Sequence, residues 1–156
     1  MRADQPFFFI QPILLVQHRL QFLLPVVELI MRLYVSKIFF YSGLSKLRDW
    51  EMTVALFTDE YHVPLLSPEV AAYLATGAEL ALPALLIVGL FRPIAAIGLF
   101  TLNMIAVVAY YSVLKDLPAA LQDHIEWGLM LLLMACLPSN VLHLDHFLRK
   151  STARPT

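Results

Sequence analysis

Long apolar runs, separated by short polar or proline-containing stretches, dominate the pattern of residues along this chain. A membrane-spanning helix needs about 20 mostly apolar residues, because the hydrocarbon core of a bilayer is roughly 30 Å thick. Four windows meet that requirement, and they cover residues 25–47, 68–90, 93–114 and 119–142. The alternation with period two that marks a half-buried strand is absent. The pattern therefore predicts an all-α integral membrane protein, a four-helix transmembrane bundle.

The segments outside these windows are short. Residues 1–24 contain the run "PFFFIQPILLVQHRLQF", which Pro12 interrupts and which is too short to cross a bilayer. We expect this N-terminal segment to lie along the membrane interface. Residues 48–67 form the longest predicted loop, and residues 148–156 form a predicted cytoplasmic tail. The four spans and their connections, residues 25–147, make one domain.

The distribution of Lys and Arg predicts the orientation. Arg2, Arg19, Arg92, Arg149, Lys150 and Arg154 flank the spans on one side, whereas Lys46, Arg48 and Lys115 flank them on the other. Positively charged residues favour the cytoplasmic side of a membrane. Both termini are therefore predicted to be cytoplasmic, and Lys46 and Arg48 to reach the outer interface.

The composition also indicates a membrane protein, and it argues against several classes of partner and site. The 156 residues are 60% hydrophobic and only 15% charged, too little charge to coat a soluble domain of this length. The net charge of -1 argues against nucleic acid as a partner. The single cysteine, Cys136, excludes a disulfide within one chain. The loop sequence "TDEYH" lacks a second histidine at ligand spacing, so no metal site is predicted.

Six polar residues lie inside the predicted spans and form the candidate intramembrane polar site: Glu28, Arg32, Lys37, Glu79, Asn103 and Glu126. A charged side chain at the centre of a membrane helix costs about 2.5 to 3.5 kcal/mol on insertion scales. Such residues should face the interior of the bundle and find oppositely charged neighbours.

Depth within the spans predicts the pairs. At a helical rise of 1.5 Å per residue, Arg32 and Glu79 both fall near the middle of their windows, whereas Lys37 and Glu126 fall in the outer half. Pro83 has no N–H, so the carbonyl of Glu79 loses its helical donor. We expect Arg32 to pair with Glu79 and with Glu28, and Lys37 to pair with Glu126. Two interpretations stay open, ion pairs that fix the helices in register and a functional polar pocket.

Two stretches resemble the DoxX family of small four-helix membrane proteins. The stretch "RLYVSKIFFYSGLSKL" is similar to the first-helix signature of that family, and "LATGAELALPALLIVGLFRPIAAIGL" to its second helix and basic turn. The positions that match, besides Arg32 and Glu79, are Ser42, Gly43, Lys46, Gly89, Arg92 and, in the terminal Leu-Asp, Asp145. The resemblance covers residues 25–147.

This resemblance implies a multi-pass protein of the bacterial cytoplasmic (inner) membrane. It also implies a link to redox chemistry, because relatives include a subunit of a thiosulfate:quinone oxidoreductase. The N-terminal segment and the longer outer loop are more similar to the branch called HvfX, which is associated with metal-stress gene clusters.

Three functional hypotheses follow. The first is a quinone-linked oxidoreductase component with a soluble or membrane redox partner. In this hypothesis Arg32 and the intramembrane acids hold the quinone headgroup or relay its protons. The apolar slot for the quinone is lined by Phe39, Phe40 and Tyr110. The second is a non-catalytic scaffold that docks a soluble or periplasmic protein through residues 48–67. The third is a small-solute or metal transporter, which would require a homo-oligomer because four helices without a repeat make a poor alternating-access machine.

Overall fold

The computed structural model describes residues 10–61, 63–138, 140–146 and 148. These residues form helices without any strand, which confirms the all-α class. In chain order the helices are α1 (Ile10–Gln21), α2 (Leu24–Arg48), α3 (Trp50–Asp59), α4 (Pro68–Val88), α5 (Arg92–Ala109), α6 (Tyr111–Leu114) and α7 (Pro118–Cys136). The start of the predicted interfacial segment, His62 of the outer loop and nearly all of the predicted tail lie outside the described residues.

The four long helices α2, α4, α5 and α7 overlap the four predicted windows and begin within one residue of their starts, and each has a proline in its first turn. Proline suits that position because its missing N–H would have no helical acceptor there. Two boundaries differ from the prediction. The third window is interrupted at Tyr110, between α5 and α6, and α7 ends at Cys136, just before Pro138.

The predicted loop 48–67 contains a further helix, α3. Asp49 starts it, because its side chain accepts a hydrogen bond from the backbone N–H of Met52 at 2.9 Å. The hydroxyl of Thr53 donates to the carbonyl of Lys46 at 3.0 Å and so holds α3 against the end of α2. Phe57 of α3 then packs on Ala71 and Ala72 of α4. The helix is an N-capped segment with one buried face, a pattern that hydrophobicity alone does not reveal.

The long helices pack as a closed ring, with α2 on α4, α4 on α5, α5 on α7 and α7 back on α2. Their shared core consists of Val35, Phe39, Leu86, Ala95, Ala96, Leu99, Leu131 and Met134. Gly43 brings α2 close to α4, because a Cβ atom there would lie 2.9 Å from the side chain of Leu80. Small residues at a helix interface allow this close approach.

Much of the outer surface of the ring is apolar. In the described part of the chain, two helices, α4 and α5, are long and apolar enough to cross a membrane by length and composition. Helices α2 and α7 carry more charged and polar residues. On α1, the apolar side chains Ile13, Leu14, Leu15 and Val16 are all exposed. Contiguous apolar surface of this extent is unusual for a soluble monomer.

Candidate functional site

The polar residues of the long helices fall into two separate groups. The first, which we call the arginine cluster, consists of Glu28, Arg32, Arg92, Asn140 and His143. The second, which we call the lysine–glutamate site, consists of Ser42, Lys46 and Glu79. The predicted single intramembrane site is therefore divided between the two ends of α2.

Glu28 is the centre of the arginine cluster. One of its oxygens, Oε1, accepts from Arg92 Nη1 at 2.8 Å and contacts His143 Nε2 at 2.9 Å. The other oxygen accepts from the side-chain amide of Asn140. Glu28, Arg92 and His143 are all essentially inaccessible to solvent. This carboxylate thus ties the first third of α2 to the start of α5 and to the segment that follows α7.

Arg32 forms a salt bridge with neither Glu79 nor Glu28, contrary to the prediction. Its guanidinium donates to the carbonyls of Leu86 and Ile87, in the last turn of α4, at 3.5 and 3.4 Å, and to the carbonyl of Leu142 at 3.1 Å. The last carbonyls of a helix lack helical donors, and the helix dipole places negative charge there. The C-terminus of α4 is therefore the acceptor that the buried guanidinium finds.

His143 is held in one tautomer. The backbone N–H of Asn140 donates to its Nδ1 at 3.0 Å, so Nε2 carries the proton and donates to Glu28. Burial lowers the pKa of His143, the nearby carboxylate of Glu28 opposes that shift, and the charges of Arg32 and Arg92 add to it. A proton on Nδ1 would also break the hydrogen bond from Asn140. The imidazole is therefore neutral in the folded protein near pH 7.

The turn between α4 and α5 packs against the same cluster. Gly89 has a left-handed backbone with φ of 69°, and its carbonyl accepts from the N–H of Asp145 at 3.2 Å. The carboxylate of Asp145 in turn accepts from the backbone N–H groups of Phe91 and Arg92 and so caps the start of α5. Gly89, Arg92 and Asp145 are the family-motif positions of this region, and all three hold the turn in place.

The lysine–glutamate site lies towards the opposite end of α2. Lys46 Nζ donates to both oxygens of Glu79, at 2.9 and 2.7 Å, and to the hydroxyl of Ser42 at 2.9 Å. The Ser42 hydroxyl also lies 3.2 Å from Glu79 Oε1. Unlike the arginine cluster, this pair remains accessible, with 16% of the Lys46 side chain and 11% of the Glu79 side chain exposed. Lys46 thus binds an acid of α4, whereas the sequence predicted that it extends to the outer interface.

A cavity of about 420 Å³ lies between the end of α2, the start of α3 and α4, and two of its lining residues, Leu47 and Leu80, directly follow Lys46 and Glu79 in the sequence. Its lining residues are Leu47, Trp50, Tyr73, Thr76, Gly77 and Leu80. The rings of Trp50 and Tyr73 lie with their centroids 4.4 Å apart. The hydroxyl of Thr76 is buried and has no hydrogen-bond partner among the described residues. The cavity therefore has an aromatic wall and a lining threonine whose buried hydroxyl has no partner among the described residues.

The register between α2 and α4 explains why Arg32 and Glu79 do not meet. Gly43 packs against Glu79 and Leu80, whereas Arg32 reaches Leu86 and Ile87. The two helices are antiparallel, so Arg32 and Glu79 are separated along α2 by about 11 residues, or roughly 16 Å. The midpoint of an apolar window is thus a poor measure of depth.

Lys37 and Glu126 do not pair within the chain either. Both side chains are exposed, and Glu126 accepts a hydrogen bond from Gln122 at 2.8 Å. Instead, Glu79 pairs with Lys46, and Glu28 pairs with Arg92 and His143. The buried face of α2 contains Glu28, Arg32, Val35, Ser36, Phe39 and Gly43, and Lys37 points away from it.

The remaining candidates lie in the packed interior or at its edge. Asn103 is buried and exchanges two hydrogen bonds with His124 of α7, at 2.8 and 2.7 Å. Phe39 is a core residue with an edge contact to Trp127. Tyr110 packs edge-on against Tyr61, 4.8 Å between centroids. Neither Phe39, Phe40 nor Tyr110 lines the cavity beside the lysine–glutamate site.

Sequence reasoning missed the roles of Arg92, Asn140 and His143. Arg92 resembled an ordinary basic flank of a span. The sequence did contain a weak signal for this cluster. Arg92 and Asp145 are family-motif positions, and the negative charge of Glu28 inside a predicted span needs a cation as its partner. His124 was also missed, because its partner Asn103 lies on a helix distant in sequence.

No group of three or more His, Cys, Asp or Glu side chains in the described residues could hold a metal ion. Comparison with curated proteins and with solved structures gives no match. The model of the DoxX family matches residues 27–112, which include the first-helix signature, the lysine–glutamate site and the turn at Gly89 and Arg92. The chain therefore belongs to the DoxX family.

Proposed function

We propose that this chain is a four-span protein of the bacterial inner membrane that binds a quinone at the lysine–glutamate site and serves a membrane oxidoreductase. The observation that carries the proposal is an accessible Lys46–Glu79 pair beside an aromatic-walled cavity. Ligand sites of this kind combine mostly apolar walls with a few placed polar groups.

The membrane arrangement in this proposal rests on the closed ring of long helices and on the exposed apolar surface. Helices α4 and α5 are apolar enough to span, and α2 and α7 complete the ring around the same core. The excess of Lys and Arg near the termini favours cytoplasmic termini. The arginine cluster then lies at the cytoplasmic end, α1 along that surface, and α3 with the cavity at the outer end.

The chemistry of the site suits a quinone headgroup. Its ring needs flat apolar neighbours, which Trp50 and Tyr73 supply, and its carbonyl oxygens need hydrogen-bond donors. Thr76 of the cavity lining has a buried hydroxyl without a hydrogen-bond partner among the described residues, and Lys46 is a cationic donor one residue before Leu47 of that lining. A hydrogen bond with a charged partner is typically worth about 1.5 to 3 kcal/mol.

Reduction of a quinone to a quinol takes up protons as well as electrons. The Glu79 carboxylate, which Lys46 and Ser42 hold in position, can take up a proton from water and pass it to the reduced quinone. The electrons would come from a soluble or membrane redox partner. A role in redox or metal stress follows from the resemblance to the HvfX branch and belongs to the same proposal.

Binding of a short-chain quinone to the protein in lipid nanodiscs tests this function. We expect saturable binding by the wild type and a loss of affinity of about tenfold or more in Glu79→Gln and Thr76→Val, since each removes a group beside the quinone. Glu69→Gln is the control, because Glu69 is an exposed glutamate of the same helix. No saturable binding by the wild type, or unchanged binding by both variants, would refute the quinone site.

A second candidate is a scaffold that docks another protein at the outer end. Leu65 is fully exposed at the tip of the connection between α3 and α4, and a second cavity, of about 310 Å³, lies beneath it between Phe57, Tyr61 and Pro68. A scaffold should retain its activity in the cell when Glu79 becomes Gln, whereas a quinone site should lose it while the protein stays folded.

A further inference from the structure

Lys37 lies in the interior of α2 and faces outwards. It is 13 residues after Leu24 and 11 before Arg48, which places its Cα roughly 16 to 20 Å from either end of the helix. Its neighbours on that face are Ile30, Tyr34 and Tyr41, each more than half exposed. In the proposed membrane arrangement this face would be in contact with lipid. A lysine there needs an anion, because its side chain is too short to reach either interface.

A matching acid lies on the neighbouring helix. Glu126 is the ninth residue of α7, it is exposed, and Gln122 and Asp123 beside it are exposed as well. Gln122 donates one hydrogen bond to Glu126 Oε1, so the second carboxylate oxygen is available to another donor. The outer face of α7 is therefore acidic where that of α2 is basic.

The two residues also lie at nearly the same level. Phe39 contacts Trp127 with ring centroids 6.3 Å apart, and this contact fixes the register of the antiparallel helices α2 and α7. Lys37 precedes Phe39 by two residues, and Glu126 precedes Trp127 by one. Because the two helices are antiparallel, Lys37 and Glu126 lie on opposite sides of this ring contact, and their heights along the helix axes differ by roughly 4 to 5 Å. The side chain of a lysine spans that difference.

We propose that two copies of this chain associate in the membrane through Lys37 of each copy and Glu126 of the other. This inference rests on the proposed membrane arrangement, but not on quinone binding. All copies of a membrane protein insert with the same orientation, so two groups that pair across a two-fold axis along the membrane normal must lie at equal depth. Helices α2 and α7 are neighbours in the ring, so both pairs can form in one isologous interface.

The hydroxyls of Tyr34 and Tyr41 strengthen the match. Both lie on the face of α2 that contains Lys37, one turn before and one turn after it. They add two donors to a face that would meet the carboxylate and amide oxygens of Glu126 and Gln122. Polar groups that hydrogen-bond between helices stabilise association in lipid, where water offers no competing partner.

Charge reversal tests the interface. We expect the wild type to form dimers in nanodiscs or mild detergent, measured by light scattering, and Lys37→Glu and Glu126→Lys each to weaken association about tenfold or more. The double variant Lys37→Glu/Glu126→Lys should recover association to within about threefold of the wild type, because the pair is restored with reversed sign. Lys115→Glu, at an exposed site beyond α6, makes the same charge change and should leave the dimer intact.

Each result decides the proposal. A monomeric wild type, or a double variant as weak as the single ones, would overturn it. Helix content measured on each variant separates lost association from misfolding, which we do not expect because both side chains are exposed. Labelling of Lys37→Cys in a Cys136→Ser background with a membrane-impermeant thiol reagent tests the membrane arrangement separately. Rapid labelling would refute the burial of α2 in lipid, whereas protection with a monomeric wild type would refute only the dimer.

Discussion

The arginine cluster and the lysine–glutamate site are built from the same kinds of residue and differ in their surroundings. In the first, Glu28 is enclosed and accepts from three side chains, while both arginines also donate to backbone carbonyls at helix ends. In the second, Glu79 faces one lysine and one serine and keeps part of its surface accessible beside a cavity. A closed polar cluster fixes helices in register, whereas an open one can exchange a ligand or a proton.

Replacement of the central carboxylates should separate the two sites most clearly. We expect Glu28→Gln to lower the free energy of unfolding by about 3 to 5 kcal/mol, because Arg92 keeps a buried charge without its counter-ion. Glu79→Gln should lower it by less than half of that, because Lys46 remains partly accessible to water. Unfolding of the detergent-solubilised protein, followed by circular dichroism, measures both.

Glu51→Gln is the matched control for these two variants, since Glu51 is exposed in the first turn of α3. It should leave the unfolding curve almost unchanged. If Glu28→Gln and Glu79→Gln lowered the free energy of unfolding equally, the greater burial of Glu28 would not make its ion pair more important for stability.

The turn that closes the arginine cluster should be almost as sensitive. Gly89→Ala is expected to lower the free energy of unfolding by about 1 to 3 kcal/mol, because its φ of 69° strains any residue with a Cβ atom. The added Cβ would also lie 2.6 Å from Arg32 Nη1 and 2.9 Å from the Cα of His143. Thermal unfolding of the variant measures the loss.

Gly77 supplies the control for that change. It lies inside α4, and a Cβ atom there would meet nothing within 4 Å. Gly77→Ala should therefore stabilise the protein slightly, because alanine is the better helix former. A similar loss at both glycines would argue against a special role for the turn at Gly89.

His143 should make the stability of the arginine cluster sensitive to mild acid. Its pKa is lowered in the folded protein, so the unfolded chain takes up the proton first. The stabilising contribution is complete above the unfolded pKa of about 6.5 and is lost as the pH falls below it, by up to about 1.4 kcal/mol per pH unit. Unfolding measured from pH 7.5 to 5 should show this slope, and His143→Gln should reduce it.

The sequence was sufficient to predict the helical class, the approximate positions of the four long helices and the presence of Arg32, Glu79 and Glu28 as polar residues inside them. Hydrophobicity and proline positions carry that information locally. It was not sufficient to predict α3, whose start depends on the side chain of Asp49 and whose buried face is only two residues wide. The fourth window also extends to residue 142, whereas α7 ends at Cys136, because Pro138 has no N–H with which to continue the helix.

Pairing was the least predictable feature, because it depends on register between helices. Arg32 and Glu79 each lie near the middle of an apolar window, yet α2 is 25 residues long and α4 is 21, and the two are offset. The residues that do pair, Lys46 with Glu79 and Glu28 with Arg92, include two that resembled ordinary basic flanks of spans. A cation near the end of a span can therefore serve as the counter-ion of a carboxylate on a neighbouring helix.

A double-mutant cycle tests that revised pairing and gives the smallest of the expected effects. Lys46→Met and Glu79→Gln remove the two members of one ion pair, so their combined loss should be smaller than the sum by about 1 kcal/mol. The losses from Arg32→Met and Glu79→Gln should add, because Arg32 donates to the end of α4 and not to Glu79. Both cycles use the same unfolding assay and share one variant, so each is the control for the other. Coupling between Arg32 and Glu79, together with additivity for Lys46 and Glu79, would contradict the register of α2 and α4 on which the lysine–glutamate site depends.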